Sequence, residues 1–462
     1  MLKIGNINNI GINAFNHIKA VSNPIQKEDT AVKPLQTNYK TANVDNLKAY
    51  IPSFTAAKQP TETQKEIPSL EKQYKTVQSM LDRNSLKKLS RLDSKGILMN
   101  NDSNDGSTVL ENLYKIATQP RIPGLKPEQI MTDVVNALDN PFSITQKFGD
   151  IPNRAVLEIE QETGSQIPEK AYNINSSCCV VASMEFNLAS KKPAEFVRFA
   201  EGLSGETYSV DKRVKMTDIA PGTAECLWYL REFNTDSYLE NNWEYANVKI
   251  KPDRNAIVRS RVQASYKDPG ERSCVDVLIQ SALLNLGSQN SYDALTDERT
   301  GKFNNDNTGL TDMEKNFIEQ IVFESPKISV VYQNVDENAK LAGYNATLDE
   351  TKQHILKSLE LGQNVIIGYT HIDRNNVING GHEITIIDYK KDKDNNGIFV
   401  CNDTDDGIDA PIEIRESELL PKIHHAGIPK EALGKDDVVV ESWREIINSY
   451  QQMRKAQKQQ SA

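Results

Sequence analysis

Three residue types that together perform nucleophilic catalysis occur along this chain in the order cysteine, histidine, aspartate. Cys179 lies in the segment 171–189, where two serines precede an apolar run with helical spacing. A thiol in the first turn of a helix is favoured as the nucleophilic thiolate, because the helix dipole and free backbone N–H groups stabilise negative charge. The same N–H groups are suited to receive a developing oxyanion. The pattern predicts a reactive cysteine, although a small buried hydrophobe is the commoner fate of a free cysteine.

A hairpin predicts the base and the acid that orients it. Two glycines precede His382, which opens a predicted strand over 382–391, and the returning strand over 397–403 ends on Asn402 and Asp403. Residues at the start of one hairpin strand and at the end of the next lie side by side. We therefore expect His382 beside Asp403, with Asn402 as the alternative orienting residue. A surface histidine near a polar turn would explain the same residues without catalysis.

Elimination also favours His382 among the six histidines. The other five are His17, His354, His371, His424 and His425. His17 lies in a polar segment and His354 in a polar helix. The adjacent His424 and His425 lie in a predicted loop before a proline. Only His371, at the end of its predicted strand, is a rival base, and the acid close to it in the chain is Asp373.

These residues, in this order and setting, resemble the papain-like cysteine peptidase superfamily, and within it the bacterial branch of bacteriocin-leader-processing peptidases. The similar blocks are the helix that starts at Cys179, the strand start over 361–366, the Gly-His block over 381–389 and the Asn-Asp block over 400–403. The resemblance implies a papain-like α+β fold with a helical left lobe, an antiparallel β-sheet right lobe and a peptide-binding cleft between them. It implies that a peptide or protein is the substrate.

The resemblance also bears on single residues. It favours Cys179 over its neighbour Cys178 as the nucleophile, and adjacent helical residues point about 100° apart, so only one of them faces a cleft. Asn173 stands where the family commonly has a glutamine that donates to the oxyanion, and an asparagine can donate the same hydrogen bond. Thr404 replaces the proline or serine that usually follows the acid.

Helical patterns dominate the first part of the chain and antiparallel strands the last part, which predicts the α+β class. Helices are predicted at 178–190, 193–202, 223–233, 273–286, 311–323 and 349–361. Strands are predicted at 328–332, 364–371, 382–391 and 397–403.

The chain divides by composition into four segments. Residues 1–65 and 451–462 are expected to be mostly disordered, and residues 66–150 to form a helical region that docks within the chain as an accessory domain or a pro-segment. Residues 151–450 are expected to form the peptidase domain, with a helical insertion over about 200–325 because the separation between the cysteine and the histidine is long for the family.

Composition limits the partners and cofactors. The net charge is −10 and the acidic excess follows residue 150, so nucleic acid and anionic membranes are poor partners. No apolar stretch resembles a signal or a membrane span, which makes the cytoplasm the default location, with signal-independent export as the alternative. The cysteines are Cys178, Cys179, Cys226, Cys274 and Cys401. Their spacing is typical of neither disulfides nor zinc sites, and we expect no cofactor and no metal.

Alternatives to a peptidase remain at this level. A Cys-His-Asp site also serves transglutaminases and deamidases, because an amine or water can resolve the thioester. A catalytically inactive papain-like fold would act as a protein-binding module. Finally, five residues of the 392–403 hairpin fit an EF-hand calcium pattern, although an acidic turn explains them equally. They are Asp392, Asp394, Asn396, Gly397 and Asp403.

Overall fold

The computed structural model describes twelve parts of the chain. They are residues 68–147, 153–164, 166, 177–220, 223, 238–241, 244–266, 271–288, 290–299, 309–336, 338–405 and 407–434. From Leu70 onward these residues belong to one compact unit. The segments expected to be disordered, 1–65 and 451–462, lie outside the described residues, as does the helix predicted at 223–233 apart from Thr223.

Helices fill most of the first part of the described chain. They are α1 (Leu70–Ser79), α2 (Arg83–Ser94), α3 (Val109–Thr118), α4 (Pro127–Asp139), α5 (Asn153–Thr163), α6 (Cys179–Lys191), α7 (Pro193–Ser204), α8 (Arg254–Tyr266), α9 (Cys274–Gly287), α10 (Asp312–Phe323), α11 (Leu348–Glu360) and the short α12 (Glu416–Leu419). Side-chain caps fix several of the starts. Thr108, Ser273, Thr311 and Thr347 each form a capping box with the acid three residues later.

Antiparallel sheets follow, so the α+β class expected from the sequence is confirmed. The strands are β1 (Val210–Lys215), β2 (Tyr238–Asn241), β3 (Tyr245–Ile250), β4 (Tyr292–Asp293), β5 (Glu298–Arg299), β6 (Lys327–Val331), β7 (Gln333–Val335), β8 (Leu341–Tyr344), β9 (Val365–Ile372), β10 (Ile378–Lys391), β11 (Gly397–Asn402), β12 (Ile412–Arg415) and β13 (Ile423–Pro429). The largest sheet has the order β12-β11-β10-β9-β13-β6, with every neighbouring pair antiparallel.

A helical core joins the N-terminal helices to the helices that follow Cys179. Leu113 of α3, Val134 of α4, Met184 of α6 and Phe199 of α7 are fully buried members of one hydrophobic cluster. Burial of such side chains stabilises the fold by about 1.5–3 kcal/mol each. The helices of the 66–150 region therefore share their core with the region after residue 150. Their role as an accessory domain or pro-segment stays a prediction.

A second core lies on the large sheet. Val365, Ile384 and Phe399 of the strands pack with Ile355 of α11 in a separate cluster of buried residues. Strands β9, β10 and β11 thus hold their positions through a core of their own.

No helix among the described residues combines the length and the apolar composition needed to cross a bilayer.

The region over 200–325, expected to be a helical insertion, also contains β1–β5. Strand β1 alternates buried and exposed residues, but its central inward position is Lys212 rather than an apolar residue. The Lys212 ammonium lies 2.7 Å from carboxylate oxygens of both Glu195 and Glu324, which offsets the cost of burying its charge. A lysine at an inward position interrupts the alternation of apolar and polar residues by which a strand is recognised in a sequence.

Two other expectations about strands are wrong. His424 and His425 were expected in a loop, yet they are buried in β13 between β9 and β6. This strand contains a glycine and a proline, and these residue types usually indicate a loop or turn in a sequence. His382 was expected to open its strand, but β10 begins at Ile378, because Gly380 and Gly381 continue the ladder opposite β9.

Candidate active site

The predicted nucleophile lies at the first position of α6. Cys178 is the N-cap, and the first intrahelical hydrogen bond is donated by the Ala182 N–H to the Cys178 carbonyl at 2.8 Å. The N–H groups earlier in this turn precede that bond and have no acceptor within the helix. Cys179 is partly exposed, unlike the buried Cys178 before it. The thiol therefore lies at the N-terminal end of the helix dipole, beside N–H groups that have no acceptor within the helix.

The neighbouring thiol has a different environment. Cys178 is fully buried, with Sγ 3.6 Å from the Tyr292 hydroxyl and 3.7 Å from Oδ1 of Asp297. The same carboxylate accepts the Ser177 N–H at 2.6 Å and the Tyr292 hydroxyl at 2.8 Å. Asp297 thus anchors the residues just before α6, and Cys178 belongs to this buried polar cluster.

His382 and Asp403 are in direct contact. Nε2 of His382 lies 2.7 Å from Oδ1 of Asp403, which also accepts the Asp405 N–H at 2.9 Å. Burial raises the pKa of Asp403, but the hydrogen bond and charge of His382 outweigh burial and hold it below its usual range. The carboxylate is therefore ionised and occupies Nε2 of the imidazole, which leaves Nδ1 as the other functional nitrogen.

Cys179 acts on the same imidazole. Burial lowers the pKa of His382, but hydrogen bonding to Asp403 and Cys179 and the negative charge of both hold it well above its ordinary value. The structure thus places Asp403 in contact with His382 and Cys179 close enough to raise the pKa of the same imidazole.

Two further side chains of β9 lie beside His382. The ring of Tyr369 packs edge-on against His382, with centroids 5.7 Å apart, and edge-on against His371 at 5.3 Å. Burial lowers the pKa of His371, and the positive charges of His382 and Lys422 lower it further. Asp373, the acid close to His371 in the chain, instead accepts backbone N–H groups of its own turn at 2.7 and 2.9 Å. The Asp403 carboxylate therefore forms its imidazole contact with His382 and not with His371.

The chain after α4 supports the loop that follows Asp403. The Thr145 hydroxyl and the Gln146 N–H both donate to the Thr404 carbonyl, at 2.9 and 3.1 Å. Arg272 Nε donates to the Gln146 carbonyl at 3.0 Å and ties this segment to the residues before α9. No local sequence signal indicates this support, because Thr145 and Thr404 are 259 positions apart.

The alternative site residues have other positions. Asn402 pairs with Thr385 in the β10–β11 ladder and is buried, and its side-chain Nδ2 makes no hydrogen bond to the described residues. Asn173, the predicted oxyanion donor, lies outside the described residues. Sequence reasoning missed Tyr369 and Asp297. Tyr369 lies two residues before the rival base His371 and so on the same face of the strand, which could have indicated the first of these; nothing local indicates the second.

The residues that fit a calcium loop form a hydrogen-bonded turn. Oδ1 of Asp392 accepts the backbone N–H groups of Asp394 and Asn396, at 2.9 and 2.8 Å, and Oδ2 accepts the Asn396 side-chain amide at 3.0 Å. Asp403, the last residue of the pattern, is bound to His382. The acidic turn accounts for these residues.

Comparison of the chain with protein-family models, with curated proteins and with solved structures finds no match in any of the three. Function is therefore inferred from the chemistry of Cys179, His382 and Asp403.

Proposed function

We propose that this chain is a papain-like thiol hydrolase that cleaves peptide bonds through Cys179. The observation that carries the proposal is the 2.7 Å contact between His382 and the ionised carboxylate of Asp403. Cys179, a partly exposed residue at a helix N-terminus, lies close enough to raise the pKa of the same imidazole. Nucleophile, base and orienting acid in this order are the arrangement by which thiols and hydroxyls are activated for acyl transfer.

The fold supports the two-lobed form of the proposal. The proposed nucleophile belongs to α6 of the helical core, whereas His382 belongs to β10 of the large sheet and Asp403 directly follows β11. A papain-like enzyme takes its nucleophile and its base from two such lobes, and its substrate binds in the cleft between them. A peptide or protein substrate fits this proposal, and the acidic chain disfavours nucleic acid.

The chemistry follows from the positions of the groups. The Cys179 thiolate attacks the carbonyl carbon and forms a C–S bond, while N–H groups of the first turn of α6 receive the negative oxygen. The His382 imidazolium gives its proton to the departing amine as the C–N bond breaks, which leaves a thioester. The imidazole then takes a proton from water, whose oxygen attacks the thioester carbonyl. The C–S bond breaks, and the carboxylic acid leaves.

A peptide library with a mass-spectrometric readout tests the proposal. We expect the purified full chain to produce new peptide termini, and we expect the Cys179→Ala variant to produce none. A gain of about 1 Da per glutamine would instead indicate a deamidase, and a loss of ammonia on crosslinking a transglutaminase, since both use a thioester. Identical spectra with the wild type, the variant and no protein would contradict the hydrolase and favour a binding module.

The pH dependence of turnover tests the role of His382. Because Asp403 and Cys179 raise its pKa, the imidazolium persists to a higher pH than that of an ordinary histidine. The alkaline limb of the kcat/KM profile, which reports loss of the imidazolium proton, should therefore lie well above pH 6.5.

Replacement of the carboxylate should move this limb. Asp403→Asn removes a negative charge that raises the pKa of His382, so the alkaline limb should shift to lower pH. Asp394→Asn removes an exposed acid from the hairpin turn and is the matched control, whose profile should coincide with that of the wild type. An Asp403→Asn limb at the wild-type position would show that the limb does not report His382.

A further inference from the structure

A second group of titratable side chains lies outside the active site, where β13 meets α10. It consists of His424 and His425 of β13 and Asp312, the first residue of α10. The two Nδ1 atoms of the histidines are 2.9 Å apart, and Asp312 oxygens lie 3.0 Å from Nδ1 of His425 and 3.8 Å from Nδ1 of His424. Both histidines are buried, and the Asp312 side chain is only 13% exposed.

An irregularity in β13 brings the two imidazoles together. Consecutive side chains of a regular strand point to opposite faces, so adjacent histidines would be separated. In the pairing of β13 with β9, however, Ile423 lies opposite Tyr369 and His425 lies opposite Gly368. His424 is therefore the extra residue of a β-bulge. Bulges commonly re-aim a side chain next to functional sites.

A glycine in β9 makes room for the group. A Cβ atom at Gly368 would lie 2.1 Å from Cε1 and 2.5 Å from Nε2 of His425, and 2.7 Å from Oε1 of Glu383. No side chain can take these positions without displacing the imidazole or the carboxylate. Glycine inside a strand weakens the strand, and it often marks a site of close approach.

A carboxylate on β10 orients one of the imidazoles. Oε1 of Glu383 lies 2.8 Å from Nε2 of His425, and Oε2 accepts from the Lys315 ammonium at 3.1 Å. A neutral histidine that donates one ring N–H to a carboxylate presents the other nitrogen as a lone pair. This arrangement is typical of metal-bound histidines, whose second nitrogen is held by such a partner.

We propose that Asp312, His424 and His425 bind one divalent transition-metal ion, with zinc as the best-matched ion. Ligands of a tetrahedral zinc ion, each about 2.0–2.1 Å from the metal, lie about 3.3 Å from one another. Here the two Nδ1 atoms are 2.9 Å apart, and one ligand atom from each of the three residues lies within 4.8 Å of the other two, so one ion fits among them. Two imidazoles and a carboxylate suit zinc and its neighbours better than calcium or magnesium. Water or the second oxygen of Asp312 completes the coordination.

The alternative is a hydrogen-bonded network without a metal, in which a proton lies between the two Nδ1 atoms. A metal titration separates the two states. The full chain carrying Cys179→Ala is used, because the thiol and imidazole of the active site would also bind zinc. After treatment with a chelator and dialysis, the protein is titrated with Co²⁺ and then with Zn²⁺, and metal content and the visible absorption of cobalt are measured.

One equivalent of metal should bind at this site with an affinity tighter than about 1 μM. Asp312→Asn, which keeps the side-chain shape, and His424→Ala should each weaken binding at least about 100-fold, and Glu383→Gln about 10- to 100-fold. His371→Ala, which removes an imidazole of β9 that is not part of this group, should bind as tightly as the parent chain. Circular dichroism of each metal-free variant checks that it is folded.

A matched pair of glycine variants tests the space at the site. Gly368→Ala should abolish binding, whereas Gly343→Ala should leave it unchanged, because a Cβ at Gly343 meets nothing within 4 Å. The proposal is overturned if the parent chain binds less than a tenth of an equivalent, or if Asp312→Asn binds as tightly as the parent. These readouts do not depend on catalysis, so they stand whether or not the chain is a hydrolase.

Discussion

Cys179→Ala should lower peptide cleavage by at least about 10⁴-fold, because removal of a nucleophile leaves only the background from binding and oxyanion stabilisation. The partly exposed thiol at the start of α6 and its influence on His382 are the reasons for this expectation. Turnover of a cleaved peptide measures the loss. Mass spectrometry after reaction with an epoxide or a vinyl sulfone should locate the label on Cys179 in the wild type.

Cys178→Ser is the matched control for this experiment. A serine hydroxyl can still donate to Asp297 in the buried cluster, so α6 should keep its start and most of the activity should remain. Labelling of Cys178 in the wild type, or turnover by Cys179→Ala within tenfold of the wild-type rate, would refute the assignment of the nucleophile.

Asp403→Ala should reduce kcat by about 10²- to 10⁴-fold. The substitution removes the acceptor that occupies Nε2 of His382 at 2.7 Å and the charge that keeps the imidazolium protonated. Both the orientation and the protonation state of the base would be lost. Steady-state kinetics over a range of pH measures the change.

Two variants accompany this prediction. Asp403→Asn keeps an acceptor oxygen without the charge, so its kcat should lie between those of Asp403→Ala and the wild type. Asn402→Ala changes the residue next to the acid, whose side-chain Nδ2 makes no hydrogen bond to the described residues, and should retain activity within a few-fold. A larger loss from Asn402→Ala than from Asp403→Ala would reassign the orienting residue.

The features predicted correctly from the sequence depend on local signals. A hairpin with a short polar turn brings His382 and Asp403 together with no long-range information, and an apolar run after two serines indicates where α6 begins. The separation of helices from antiparallel strands indicates the α+β class for the same reason, since each pattern is read over a few residues.

The features that were missed depend on contacts between distant parts of the chain. The carboxylate of Asp297 that anchors Cys178 is 119 positions away from it, and Thr145 is 259 positions from Thr404. Strand β1 was missed because Lys212 occupies an inward position where an apolar residue is expected. The acids that neutralise its charge are distant in the sequence, so local periodicity does not indicate them. Charge neutralisation and hydrogen bonding between residues far apart in the sequence follow from the tertiary fold. A short window of the sequence therefore does not indicate them.

The support of Thr404 by Thr145 and Gln146 bears on maturation by proteolysis. A leader that leaves after cleavage would need weak contacts with the rest of the fold. Here, the segment after α4 holds the backbone next to Asp403, and α3 and α4 contribute to the main helical core. A cut between Gln146 and α6 should therefore yield two fragments that remain associated.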